Sequence, residues 1–265
     1  MADYRDIDPG GESHVVRGHF GDPVRVEDVL WSRGRGLNNP RRPLFLLLHG
    51  WGSNEQDIAD FFSSYISPFS DYASLRAPLT LLDPHDQDPL SGMDGIDLSS
   101  SWNNEPGAYS WFHESIPTGE DLDRDIFQAA RAIDLWVEES IPPERKVLPF
   151  GFSQGGALAV HLLRLNPRRY TAAVCLSGFL APAIVDGTAP ADKELTALAP
   201  PVFYGYGLKD EVVAKFESSA LAAFLEENTY LKMREYAPLD HSVSLDECTD
   251  IRQWLMDIGA SSGVM

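Results

Sequence analysis

The sequence predicts an α/β fold: a mostly parallel central sheet with helices on both faces and an N-terminal antiparallel strand pair. Three observations carry this. Apolar runs of strand length alternate with segments of helical period from residue 44 to residue 258. Leu44-Phe45-Leu46-Leu47-Leu48 is apolar at every position, as in a parallel strand covered on both faces. Lys146 to Phe150 leads through a glycine-flanked serine directly into a helical pattern ending near Leu165.

Taken in order, His14 to His19 and Val24 to Trp31 carry short β-branched patches separated by Gly21-Asp22-Pro23, which predicts the antiparallel pair. The polar residues 1–13 before them are expected to be flexible. After the apolar strand, Asn54 to Ile66 has helical spacing in Ile58, Phe61, Phe62 and Tyr65. Tyr72 to Leu75 and Leu79 to Leu82 form a strand region broken by Pro78. Residues 83–107 are rich in Asp, Ser, Gly, Pro and Asn, and a stretch this long without periodicity predicts a functional loop inserted over the domain. Thr118 with Asp121 opens a helix whose apolar positions Leu122, Ile126, Ala129, Ala130, Ile133 and Val137 share one face, and Pro142-Pro143 ends it. Strand Lys146 to Phe150 contains Pro149, which removes a ladder donor and predicts a local bulge. Helix Gln154 to Leu165, strand Tyr170 to Ser177, helix Lys193 to Leu198, strand Val202 to Tyr206, helix Glu211 to Glu227, strand Leu231 to Tyr236 and helix Val243 to Ile258 complete the chain. No linker or repeat interrupts it, so residues 1–265 are expected to form one domain.

Composition narrows the partners. With 40 acidic side chains against 21 Lys plus Arg, the formal charge is −19, and a nucleic acid or an anionic membrane surface would require a basic face instead. Hydrophobic residues make up 43% of the chain, enough for a large core, and no apolar run reaches membrane-spanning length. Met1 to Gly11 lacks the basic and apolar regions of a signal peptide, so a cytoplasmic address is expected. No His/Cys cluster suggests a metal, and no cofactor is expected. The choice between monomer and homodimer stays open.

Gly151-Phe152-Ser153-Gln154-Gly155-Gly156 contains the pattern GxSxG, which is short enough to recur by chance. Its position between a strand and a helix is what a nucleophile elbow requires, and glycines on either side leave room where strand and helix come closest. A serine hydroxyl is a poor nucleophile at neutral pH, so Ser153 needs a base, and the base needs an acid to fix its tautomer. In this arrangement the partners follow in the order Ser, Asp or Glu, His. Of seven histidines, His14, His19, His49, His85 and His113 precede the serine and His161 lies on the helix after it. His241, in a turn between the last strand and the last helix, is the candidate base. Asp210, just past strand Val202 to Tyr206, is the candidate acid, where an open α/β sheet gathers its site. It could equally cap the next helix. Asp186, Glu211, Asp240 and Asp246 are alternatives. The oxyanion donors would be the backbone N–H of Gln154, at a helix N-terminus, and that of Trp51 in His49-Gly50-Trp51-Gly52.

These segments resemble the bacterial branch of the phospholipase/carboxylesterase family, which includes the acyl-protein thioesterases. Leu48-His49-Gly50-Trp51-Gly52 is similar to the family's LHGxG, Leu75-Arg76-Ala77-Pro78 to its RAP segment, Tyr109-Ser110-Trp111-Phe112 to its aromatic loop and Gly151 to Gly156 to its GFSQGG. The similarity spans roughly residues 40 to 258. It implies an α/β-hydrolase fold, a Ser153-Asp210-His241 triad, Trp51 and Gln154 as oxyanion donors, and esters or thioesters of modest size as substrates. Two departures bear on the pocket: the 83–107 loop is longer than usual, and Trp51 stands where the thioesterases typically have Leu. Trp51, Trp102, Trp111, Phe112, Phe152 and Phe179 are candidates for an apolar acyl pocket, about half of them expected to reach the site on general burial grounds. The expected activity is a serine carboxylesterase acting on small to medium esters. The alternatives are a thioesterase or lysophospholipase with the same triad, or a catalytically silent binding protein on the same fold. Carboxylates from Asp83 to Asp97 near the expected entrance predict that anionic esters are poor substrates.

Overall fold

The structure, a computed structural model, describes residues 5–7, 13–15, 25–26, 28–32, 42–82 and 107–261. Most of the segment 1–13 and all of the expected insertion except residue 107 lie outside the described residues, as does Trp102. The strands are β1 (Arg5–Ile7), β2 (Ser13–Val15), β3 (Val29–Trp31), β4 (Leu44–Leu48), β5 (Tyr72–Leu75), β6 (Leu79–Leu82), β7 (Ala108–Ser110), β8 (Val147–Phe152), β9 (Ala173–Leu176), β10 (Pro201–Gly207) and β11 (Tyr230–Tyr236). The helices are α1 (Glu55–Phe61), which continues as a π-helical turn over Phe62–Ile66, α2 (Gly119–Ser140), α3 (Gln154–Leu165), α4 (Asp192–Leu198), α5 (Lys215–Asn228) and α6 (Leu245–Asp257).

A seven-stranded sheet runs β11-β10-β9-β8-β4-β5-β3, parallel throughout except for β3 at one edge. The β4 run is buried at all five positions, and its side chains alternate between two cores as strand geometry demands. Leu44, Leu46 and Leu48 pack with the apolar faces of α2 and α3, whereas Phe45 and Leu47 pack with Ile58, Phe62 and the α6 residues Ile251 and Leu255. Helices therefore cover both faces, and the long helix α2 ends at Ser140, with Ile141 already extended before Pro142-Pro143.

Two local expectations are refined. An N-terminal antiparallel pair exists, but it joins β1 to β2, with Asp6 opposite His14. Val29–Trp31 instead runs antiparallel to β5, covering an edge that would otherwise stay unpaired. Arg76 fastens this edge, contacting Asp28 before β3 and Glu55 on α1. The local irregularity expected at Pro149 is found on one side of its strand only. Lys146 accepts from Leu44 N–H, so the odd-numbered residues of β8 direct their backbone groups away from β4. Pairing with β4 runs unbroken through Leu46 opposite Pro149, but on the other side Val147 bridges Tyr170 and the ladder resumes at Phe150 opposite Val174, so residues 171–173 face only Leu148 and Pro149. The proline thus sits at a one-residue slip in register, where its missing N–H breaks no ladder bond.

Candidate active site

Ser153 occupies the turn between β8 and α3 with φ 56° and ψ −118°, a conformation that costs a non-glycine residue energy and is held by its surroundings. Its N–H donates to the Leu176 carbonyl at 2.8 Å. The flanking glycines are required by backbone contact: a Cβ on Gly155 would lie 1.9 Å from the Leu48 carbonyl oxygen, and one on Gly151 would lie 2.0 Å from that of Gly155. Strand β4, the elbow and the first turn of α3 therefore meet with no space for a methyl group. Ser153 itself is 5% exposed.

The loop after β4 lies against this serine. A Cβ on Gly50 would be 3.4 Å from Ser153 Cβ. His49 is buried, and burial is the main cause that lowers its pKa to about 4, so the ring is neutral. Its Nε2 accepts from the Ala77 N–H at 3.1 Å, which leaves the proton on Nδ1, donated to the Gly50 carbonyl at 2.7 Å. In a trans peptide the Trp51 N–H points opposite to that carbonyl, hence away from His49. The loop is fixed further by Gly52 N–H to the Tyr109 carbonyl at 3.0 Å and by Trp111 Nε1 to the His49 carbonyl at 3.0 Å.

Gln154 begins α3, where the first N–H groups have no acceptor within the helix. Its buried side chain ties the elbow to the aromatic loop. Oε1 accepts from Trp111 N–H at 3.0 Å and Ser110 Oγ at 3.1 Å, and Nε2 donates to the carbonyls of Glu114 and Ser115. That clamp was not legible in the sequence, where Gln154 offered only its backbone.

At the C-terminal end of β10, Asp210 Oδ2 meets His241 Nδ1 at 2.7 Å, while Oδ1 accepts from the Val212 and Val213 N–H groups at 2.9 Å each. Asp210 is thus the partner of a histidine but not the cap of the next helix: α5 begins only at Lys215, after Ala214, and Oδ1 holds the bend at Val212 and Val213 instead. Burial alone raises its carboxyl, but the bonds from His241 and from the two backbone N–H groups more than offset this and leave its pKa below the ordinary value. The ring of Phe152, next to Ser153, lies 4.8 Å from that of His241. Other histidines are engaged elsewhere: His161 Nε2 meets the Thr188 carbonyl, and His113, just after the aromatic loop, pairs with Asp125 on α2. This second His–Asp pair escaped the sequence reasoning, since Asp125 reads only as a helical position.

Beside Ser153 opens a cavity of about 410 Å³ between α1 and the His241 turn. Trp51, Phe61, Phe150, Phe152 and Val243 line it, together with His241. Of the aromatic residues expected at an apolar pocket, Trp51 and Phe152 line this cavity. Trp111, Phe112 and Phe179 do not: they are at most 3% exposed and pack into the core, Phe112 edge-on to Phe179 with ring centroids 6.2 Å apart. Among the described residues, no helix is long and apolar enough to cross a membrane, and no group of three or more His, Cys, Asp and Glu side chains is arranged to hold a metal ion.

A mostly parallel sheet with a serine elbow after a central strand and histidine and aspartate on later loops defines an α/β hydrolase. The model of the phospholipase/carboxylesterase family matches residues 94–258, and the chain belongs to that family. A probable carboxylesterase of rice (Oryza sativa subsp. japonica) is 26% identical over 229 residues, covering 81% of this chain and 77% of the relative. Acyl-protein thioesterase 1 of the yeast Kluyveromyces lactis is also 26% identical, over 82% of this chain and 92% of its own. Among solved structures, Zea mays acyl-protein thioesterase 2 aligns with a TM-score of 0.64 at 19% identity, covering 87% of this chain and 98% of that one. The Bacillus cereus carboxylesterase aligns with a TM-score of 0.58 at 19% identity, over 86% and 93%. These last two likenesses concern the fold. Family membership makes the protein a hydrolase of esters or thioesters.

Proposed function

We propose that the protein is a serine carboxylesterase that hydrolyses small to medium esters through an acyl-enzyme on Ser153. The observation that carries this reading is the Asp210–His241 hydrogen bond, made at the end of β10 with the His241 ring against Phe152 of the elbow. Asp210 holds the Nδ1 proton of His241, which leaves Nε2 free to accept a proton. Ser153 Oγ attacks the ester carbonyl as its proton passes to His241 Nε2. The N–H groups of Trp51 and Gln154 receive the oxyanion. The carbon–oxygen bond to the alcohol then breaks, and His241 returns the proton to the departing oxygen. Water, deprotonated by the same nitrogen, attacks the acyl-enzyme and frees the acid, restoring Ser153 and His241.

Thioester hydrolysis by the same residues is a second reading, favoured by relatives named acyl-protein thioesterases. The two differ only in the leaving atom, and matched oxygen and sulfur esters of one acid distinguish them. The test of the shared mechanism is Ser153→Ala: turnover of short p-nitrophenyl esters is expected to fall by at least about 10⁴-fold, and labelling by a fluorophosphonate probe to disappear. Wild-type turnover by this variant rules the assignment out, and absence of labelling in the wild type favours a silent binding protein.

A further inference from the structure

We propose that the cavity between α1 and the His241 turn binds the leaving group of the substrate, and that it takes an apolar, ring-sized alcohol or thiol carrying no negative charge. This rests on the triad reading above and specifies its substrate.

The side of the ester follows from the proton. The tetrahedral carbon formed on Ser153 carries the serine oxygen, the oxyanion, the acyl carbon and the leaving atom. The leaving atom must receive its proton from His241, so it and the group attached to it lie on the histidine side. The acyl chain takes the remaining direction. The cavity reaches the histidine: His241, Ser242 and Val243 line it, together with Gly50 and Trp51 of the loop after β4. Phe152 joins them, its ring 4.8 Å from the imidazole. Ile58 and Phe61 of α1 and Phe150 of β8 complete the apolar lining. Its volume of about 410 Å³ compares with the roughly 150 Å³ that suffices to bind benzene in an apolar cavity.

Charge selection comes from Asp57. Among the described residues lining the cavity it is the one that carries a permanent charge, and no Lys or Arg accompanies it. Its carboxylate is exposed and is anchored through Oδ2, which accepts from Ser53 Oγ at 2.9 Å and Asn54 Nδ2 at 3.0 Å. A carboxylate on the departing alcohol would be held within a Debye length of this charge, so repulsion opposes its binding, the more so at low salt.

The experiment uses two ester series on the purified full-length protein. One keeps the acetyl group and varies the alcohol: methyl, benzyl and 4-carboxybenzyl. The other keeps benzyl alcohol and compares acetate with hexanoate. In the wild type, kcat/KM for benzyl acetate is expected to exceed that for methyl acetate by about 10–100-fold, and that for the carboxybenzyl ester by about tenfold. Val243→Trp, which fills the cavity from its half-buried wall, should collapse the benzyl-over-methyl ratio to within about threefold. Phe61→Ala, which widens it, should shift the optimum to a larger ring such as naphthylmethyl. Asp57→Asn should bring the benzyl-over-carboxybenzyl ratio close to one. In all three variants the acetate-over-hexanoate ratio should follow the wild type. If Val243→Trp or Phe61→Ala moves the acyl ratio instead of the alcohol ratio, the cavity holds the acyl chain and the proposal is wrong. It is also wrong if neither ratio moves while Ser153 still labels. Failure of the triad reading appears separately, as undiminished turnover by Ser153→Ala.

Discussion

His49 is a buried side chain whose influence on the proposed reaction runs through a peptide group. Its Nε2 accepts from Ala77 and its Nδ1 donates to Gly50, so the ring fixes the peptide whose other end is the Trp51 N–H. No other neutral side chain offers an acceptor and a donor on opposite sides of one small ring. Replacing it with alanine frees that peptide and leaves the buried Ala77 N–H without its partner. His49→Ala is expected to lower kcat by about 10²-fold, the cost of losing one aimed oxyanion donor, with a smaller change in KM. Ser153 should still react with a fluorophosphonate, though more slowly. A positioning role demands the kcat effect in protein that remains folded by circular dichroism. A fall in the amount of folded protein alone, with kcat per labelled site at the wild-type value, would falsify it.

At the scale of elements, the site depends on how closely loops approach the sheet's C-terminal edge. Gly207 ends β10, and a Cβ there would lie 2.2 Å from the Leu239 carbonyl oxygen and 2.5 Å from that of Asp240. Both contacts are backbone, so Gly207→Ala must displace the turn that carries His241. Activity is expected to fall by about 10–100-fold, since a shift near 1 Å is enough to spoil proton transfer, while the far-UV spectrum stays native. Kinetics within twofold of the wild type would show that the turn adapts. The same scale explains what was legible in the sequence. Ser153, Asp210 and His241 could be picked out because each follows a recognisable strand, and α2 and α3 because their apolar periods are long. The partner of Val29–Trp31 could not, because the edge it covers, Ala73 to Leu75, is distant in the chain and strand pairing leaves no local mark. Trp111, Phe112 and Phe179 suit a pocket and a core equally by residue type. Ile58 and Phe61 read as one apolar helix face, although they also line the cavity beside the serine.

For the whole molecule, three buried titratable groups set a pH optimum for stability. His49 and His161 have pKa values lowered to about 4 and about 3, chiefly by burial, from an ordinary value of 6.5. Unfolding therefore takes up protons at both sites as pH falls through 6.5, and stability is lost toward acid. Glu247 acts in the opposite sense. It lies over Gly205 and is 1% exposed, and burial, outweighing a bond from the Ser244 backbone, raises its pKa from 4.5 to about 8. Its unfolded form ionises above 4.5 while the native form stays protonated, so unfolding releases a proton and stability declines as pH rises toward 8. Between 4.5 and 6.5 the two histidines outweigh the one carboxyl; above 6.5 only the carboxyl remains. Stability is thus expected to peak near pH 6.5 and to decline toward pH 8 with a limiting slope of about 1.4 kcal/mol per pH unit. Glu247→Gln removes the ionisable group at nearly equal volume and should flatten that decline while keeping the acid limb. Urea midpoints measured from pH 5 to pH 8 for both proteins decide the matter, and parallel profiles above pH 6.5 would mean that Glu247 is already ionised in the native state.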